Sequence, residues 1–90
     1  MYSIGDYFVE CTTDHIRGHG WTASARISRE EDWRKPAKIP KAVFAELAEC
    51  PTRQDTERTA IEWVRERVLT DSDMIEKALE VSGRKQSTAP

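Results

Sequence analysis

The segment that opens with Trp21 shows the clearest pattern of hydrophobic and polar positions in the chain. Trp21, Ala23, Ala25 and Ile27 alternate with polar residues at every intervening position. Strict alternation is typical of a strand with one buried face and one solvent-exposed face. The pattern therefore predicts a half-buried strand over about residues 21–29.

A second strand is predicted directly before it. Residues 7–15 are rich in β-branched and aromatic residues, which favour extended structure. Between the two segments, Gly18 and Gly20 supply residues that adopt a positive φ easily, as a tight turn requires. We therefore predict an antiparallel hairpin with an odd-length loop centred on Gly18.

The register of this hairpin follows from the positions of its apolar residues. Placing Val9 opposite Ile27 puts the apolar partners on one face and sets Glu10 opposite Arg26 on the other. A slip of one residue would place Glu10 opposite Ile27 and mix the two faces. We therefore predict the first register.

Residues 42–48 permit two interpretations. Val43, Ala45 and Leu47 alternate as in a strand, but alanine and glutamate are good helix formers and Pro40 suits the first turn of a helix. A two-stranded hairpin is only marginally stable alone, so a third strand would complete a stable meander. We predict a strand, joined to the hairpin by a charged loop containing two prolines.

Two helices are predicted after the strands, over about residues 53–69 and 72–82. Thr52 and Asp55 form a capping-box signature at the start of the first helix, and Gly83 is placed to end the second. The apolar side of the first helix consists of Ala60, Ile61, Val64 and Val68, with Trp63 at its edge.

Together these elements predict an α+β fold. The expected architecture is a three-stranded antiparallel β-meander in the order β-β-β-α-α, with both C-terminal helices packed on one face of the sheet. Residues 1–82 would form a single domain, and residues 83–90 would be a disordered tail.

Composition narrows the class of protein. The 90 residues are 38% hydrophobic and carry a net charge of −2, which suits one small soluble domain and gives no overall attraction to nucleic acid or anionic lipid. No apolar run is long enough to span a membrane, and no signal sequence is recognisable, so we expect a cytoplasmic protein. In that compartment Cys11 and Cys50 would remain thiols rather than form a disulfide.

The order of elements, with Gly20-Trp21-Thr22-Ala23 opening the second strand and Pro51-Thr52 leading into a helix that contains Ala60-Ile61 and Trp63, resembles small uncharacterised betaproteobacterial proteins. The resemblance implies a three-stranded antiparallel sheet covered by helices on one face, and it implies no function.

A more distant likeness is to the double-stranded-RNA-binding domain, which also runs three strands into a final helix. This chain departs from that pattern because it has no helix before its first strand. The helix start at residues 53–58 also mixes arginines with acids instead of presenting lysines to phosphates.

Cys11, His15 and His19 are of residue types that ligate zinc. On a strand, however, Cys11 and His15 would lie about 13 Å apart, whereas ligands of one zinc ion lie about 2.0 to 2.3 Å from the metal. We therefore predict no metal site, with Cys11 in the core, His15 beside Trp21, and His19 in a solvated turn.

Two features of the chain indicate a surface for binding. The loop combines Trp33 with a run of bases that no acid interrupts, and the outer face of the sheet would carry Phe8 and, with the third strand, Phe44. The expected alternative is that the loop itself covers part of this face. The candidate interaction surface consists of Phe8, Arg26, Trp33, Arg34, Lys35, Lys38, Lys41 and Phe44.

The sequence contains no glycine-rich phosphate loop, no Ser/His/Asp set and no CxxC pair. We therefore expect a protein that is not an enzyme and needs no cofactor, acting as a protein-interaction or self-associating module with an unknown protein partner. The alternative is weak nucleic-acid binding through the basic loop of residues 33–41. Membrane binding is not expected.

Overall fold

The protein is an α+β structure with an antiparallel sheet and two helices. The computed structural model describes the backbone of residues 1–18 and 20–87, and the side chains of residues 1–18 and 20–83. The strands are β1 (Tyr2–Ile4), β2 (Tyr7–Ile16), β3 (Gly20–Arg29) and β4 (Ala42–Cys50), and the helices are α1 (Arg53–Thr70) and α2 (Ser72–Ser87). A short 3₁₀ helix, Glu30–Arg34, follows β3.

The sheet has four strands in the order β1-β2-β3-β4, so the prediction of three strands was wrong. The additional strand, β1, pairs with the start of β2, where Ile4 lies opposite Tyr7. Gly5 allows the tight turn between them because its φ is +57°. Three residues are too few for an alternation pattern, and only the pairing with β2 makes this segment a strand.

The predicted hairpin register is confirmed along the whole β2–β3 ladder. Val9 lies opposite Ile27 and Glu10 opposite Arg26. The ladder closes with Ile16 opposite Gly20, so the loop is odd in length and centred on Gly18, as predicted. His19, expected in this turn, lies outside the described residues.

The strand interpretation of residues 42–48 is also confirmed, but the faces of β4 differ from the expectation. Phe44 lies opposite the buried Ala25, so it is on the helix-covered face and not on the outer face. Val43 lies opposite Arg26 on the outer face instead. Farther along, the register shifts at a bulge where Glu46 has a φ of +54°.

The helices cover one face of the sheet, which is called the inner face below. The side chain of Thr52 caps α1 by accepting a hydrogen bond from the Asp55 amide at 3.2 Å. Helix α2 continues through Gly83 to Ser87 instead of ending near residue 82, because Gly83 does not adopt the positive φ that terminates many helices. Residues 88–90 of the expected tail lie outside the described part of the chain.

The core lies between the helices and the inner face. Its buried members come from all four strands and both helices: Ile4, Tyr7, Val9, Ala25, Ile27, Ala42, Ile61, Val64, Ile75 and Leu79. Trp63 packs against this cluster through Phe44, at 5.5 Å between ring centroids. Among the described residues, no helix has both the length and the apolar character to cross a membrane.

Candidate interaction surface

The outer face of the sheet is the side that the helices leave uncovered. Because side chains alternate along each strand, neighbouring strands present rows of side chains across this face. One row runs from Glu10 through Arg26 to Val43, and a row nearer the opposite end runs from Asp14 through Thr22 to Glu49. These rows place side chains from three strands on one surface.

The 3₁₀ helix covers one end of this face with Trp33. The indole Nε1 of Trp33 donates a hydrogen bond to the Ser28 hydroxyl at 2.9 Å, and its ring meets Phe8 edge to face at 5.9 Å between centroids. Ser28 is consequently only 2% exposed although it lies on the outer face. The loop therefore covers part of the face, as the alternative expectation stated.

Lys41 connects this cover to the sheet. Its ammonium group lies 5.6 Å from the centre of the Trp33 ring and 2.9 Å from a Glu10 carboxylate oxygen. The cation thus interacts with an aromatic face and a carboxylate together, and holds the loop above β2 and β3.

Of the candidate residues, the structure brings Phe8, Arg26, Trp33 and Lys41 together on the outer face. Phe44, expected beside Phe8, is instead on the inner face against Trp63. Val43, which was not predicted to be a surface residue, is 60% exposed. No local signal identifies Val43, because the alternation of β4 by itself suggested that Val43 was buried.

The other basic residues of the loop do not cluster. Lys35 pairs with Asp32 at 3.3 Å. Arg34 lines a cleft at the end of the sheet, and Lys38 is exposed in the loop. Since Lys41 is also paired with an acid, the loop does not form one continuous basic patch.

The cleft measures about 650 Å³ and lies where the end of the sheet meets α2. Inside it, the Tyr7 hydroxyl donates a hydrogen bond to one Glu76 oxygen at 2.6 Å, and Arg29 Nε donates to the other at 2.9 Å. Arg29 also lies 3.5 Å from the buried Asp32. The lining consists of Asp6, Tyr7, Arg29, Glu30, Glu31, Arg34 and Glu76.

These contacts shift the titration of the groups involved. Burial and the hydrogen bond to Glu76 raise the pKa of Tyr7 to about 12. Burial would raise the pKa of Glu76, but the hydrogen bonds from Tyr7 and Arg29 outweigh it and lower that pKa below its usual value. At neutral pH the Tyr7 hydroxyl keeps its proton and Glu76 is ionised, so the group acts as a clamp that joins α2 to β2 and β3.

Cys11 and His15 lie where the sequence predicted. The rings of His15 and Trp21 contact each other at a tilt of 55°, with 5.0 Å between their centroids, and Cys11 packs against the core. Burial raises the pKa of the Cys11 thiol, which makes it a poorer nucleophile. Cys11 and Cys50 are both free thiols.

Comparison with protein families, curated proteins and solved structures finds no match to this chain. The resemblances noted from the sequence stay predictions.

Proposed function

We propose that this chain is a protein-interaction module that performs no catalysis and binds through the outer face of its sheet. The observation that carries the proposal is the exposure of Trp33 and Val43 on this uncovered face, 40% and 60% respectively, beside Arg26. Tryptophan and arginine are enriched where protein interfaces gain most of their binding energy.

The surroundings of these side chains also favour binding. Trp33 is held by Ser28 and Phe8, so its orientation is fixed before a partner arrives and little side-chain entropy is lost on binding. Arg26 is exposed and has no ion-pair partner in the described part of the chain, so it is free to meet an acidic group.

A non-catalytic role is supported by the state of the cleft. Its tyrosine, arginine and glutamate bond to one another, and the high pKa of Tyr7 makes its hydroxyl a poor general base at neutral pH. These hydrogen bonds explain the three side chains as a structural clamp between α2 and the sheet, without a bound substrate.

Site-specific crosslinking tests the proposal. A photo-crosslinking amino acid replaces Val43 on the outer face or, as a control, the exposed Glu62 on α1. In extracts of the source cells, with the labelled chain added at a concentration high enough to populate weak complexes, we expect a discrete protein adduct from position 43 that excess unlabelled wild-type chain suppresses, and none from position 62. Equal adducts at both positions, or none at position 43, would contradict the proposal.

A further inference from the structure

The outer face differs between its two ends. At one end Trp33 rises above the strands over Phe8, with Arg26 in the next row. At the other end the face is formed by strand residues, with the exposed carboxylates of Asp14 and Glu49 on either side of Thr22. Neither carboxylate has an ion-pair partner among the described residues.

We propose that the partner of this face is a second copy of the chain, docked with its strands antiparallel to those of the first. The proposal rests on the interaction function argued above and names its partner. The two-fold axis crosses the strands near Thr12 and Ser24, which lie opposite each other in the middle of the face.

This orientation matches both charge and shape. Each Arg26 then lies over Thr22 of the other copy, between Asp14 and Glu49, so the free cation of one face meets the free anions of the other. Glu10 lies over Asp14 of the other copy, but its charge is already paired with Lys41 at 2.9 Å. The raised Trp33 of each copy covers the end of the partner's face that carries Asp14 and Glu49. At that end Ile16 offers an apolar side chain on the same face.

The alternative two-fold orientation, with the strands parallel, is unfavourable on the same observations. It would bring Asp14 and Glu49 of one copy against the same carboxylates of the other, and would set the two raised Trp33 ends against each other. Like charges would then repel at one end while the protruding rings held the sheets apart.

The size of the face sets the expected strength of the dimer. Strands β2, β3 and β4 have 10, 10 and 9 residues. At about 4.8 Å between strands and about 3.3 Å per residue, they present about 450 Å². A standard interface buries about 800 Å² per partner, so this dimer belongs with weak, transient complexes. We therefore expect it to become populated at chain concentrations of about 0.1 to 1 mM, above those of most routine assays.

Sedimentation velocity over this concentration range tests the proposal with charge-reversal variants. Arg26→Glu alone, and Asp14→Arg with Glu49→Arg, should each weaken self-association at least about tenfold, because like charges then meet in each homodimer. An equimolar mixture of the two variants should recover association, because both contacts in the mixed dimer again join opposite charges. Arg65→Glu, on the exposed side of α1, is the matched control and should leave association unchanged.

Each outcome decides the proposal. Recovery in the mixture supports it, and it shows that the single variants still fold. A wild-type chain that stays monomeric at about 1 mM, or a mixture that does not associate, overturns it. In that case, an adduct from position 43 to a different protein would preserve the interaction function, whereas the absence of any adduct would overturn both proposals.

Discussion

At the scale of single residues, Gly20 lies directly against the backbone at the end of β4. A Cβ atom at this position would lie 2.5 Å from the Cys50 carbonyl oxygen, and the φ of Gly20 is +93°. Gly18, two residues earlier, has a φ of +80° but no atom within 4 Å of such a Cβ. At Gly18 only the positive φ favours glycine, whereas at Gly20 the neighbouring backbone also leaves no room for a side chain.

We expect Gly20→Ala to destabilise the protein far more than Gly18→Ala. The positive φ alone costs about 1 to 2 kcal/mol for an alanine, which is the loss expected at Gly18. At Gly20 the clash with backbone adds to that cost, for a total above about 3 kcal/mol. Urea unfolding followed by circular dichroism measures both losses, and equal losses would show that β3 and β4 do not approach as described.

At the scale of elements, α2 is joined to the sheet by a polar clamp as well as by its apolar side. Ile75 and Leu79 are fully buried, while Glu76 receives hydrogen bonds from Tyr7 and Arg29. The apolar contacts hold the helix against the core, and the clamp determines where along the sheet its first turns lie. Because the clamp requires an ionised Glu76 and a protonated Tyr7, its contribution to stability depends on pH.

In acid, the clamp should weaken as Glu76 is protonated. Its pKa is lowered in the folded state from an ordinary value of 4.5, so this part of the stability is present above pH 4.5 and is lost as the pH falls through the lower folded value. We expect Glu76→Gln to be less stable than wild type at neutral pH and the difference to shrink in acid. Unfolding free energies measured between about pH 3 and pH 7 test this, and a difference that did not change with pH would contradict it.

At alkaline pH, the ionisation of Tyr7 should remove the contribution of the clamp to stability. Its pKa is raised from 10.0 to about 12 on folding, so its contribution is complete below pH 10 and declines as the pH rises towards 12. Tyr7→Phe lacks this titration, so its stability should vary less than that of wild type over this range. The same unfolding measurement checks the result, and parallel curves for the two proteins would exclude Tyr7 as the cause.

At the scale of the whole molecule, the arrangement of charge disfavours nucleic acid as the partner. Lys35 and Lys41 are held by Asp32 and Glu10, and the far end of the outer face is acidic. Of the four bases in the loop, Arg34 and Lys38 have no ion pair among the described residues. The acidic partner that the cations favour is supplied more simply by a second copy of the chain.

We expect any binding of single-stranded oligonucleotides to have a shallow salt dependence. Each phosphate contact contributes about 0.7 to the slope of log affinity against log salt, so two free bases give a slope no steeper than about −1.4. Anisotropy of a labelled oligonucleotide measures this, with Arg34→Ser and Lys38→Ser as the variants that should remove it. A slope near −2.8 would mean that all four bases contact phosphate, and would favour the nucleic-acid alternative.

The β2–β3 hairpin, its register and the existence of both helices could be predicted from the sequence alone. Their signals are local: alternation along Trp21–Ile27, glycines in the turn, and the Thr52 cap with its apolar stripe. Each of these signals lies within one segment or between two segments joined by a short loop. The local pattern is therefore sufficient to predict these elements.

The fourth strand, the faces of β4 and the cover of the outer face depend on tertiary contacts. β1 is a strand because β2 pairs with it, and Phe44 rather than Val43 is covered because β4 takes its register from β3 before the bulge at Glu46. Trp33 covers Phe8 because the 3₁₀ helix turns the chain back over the sheet. These features depend on contacts between separate segments, and a register change of one residue exchanges the faces of a strand without changing its composition.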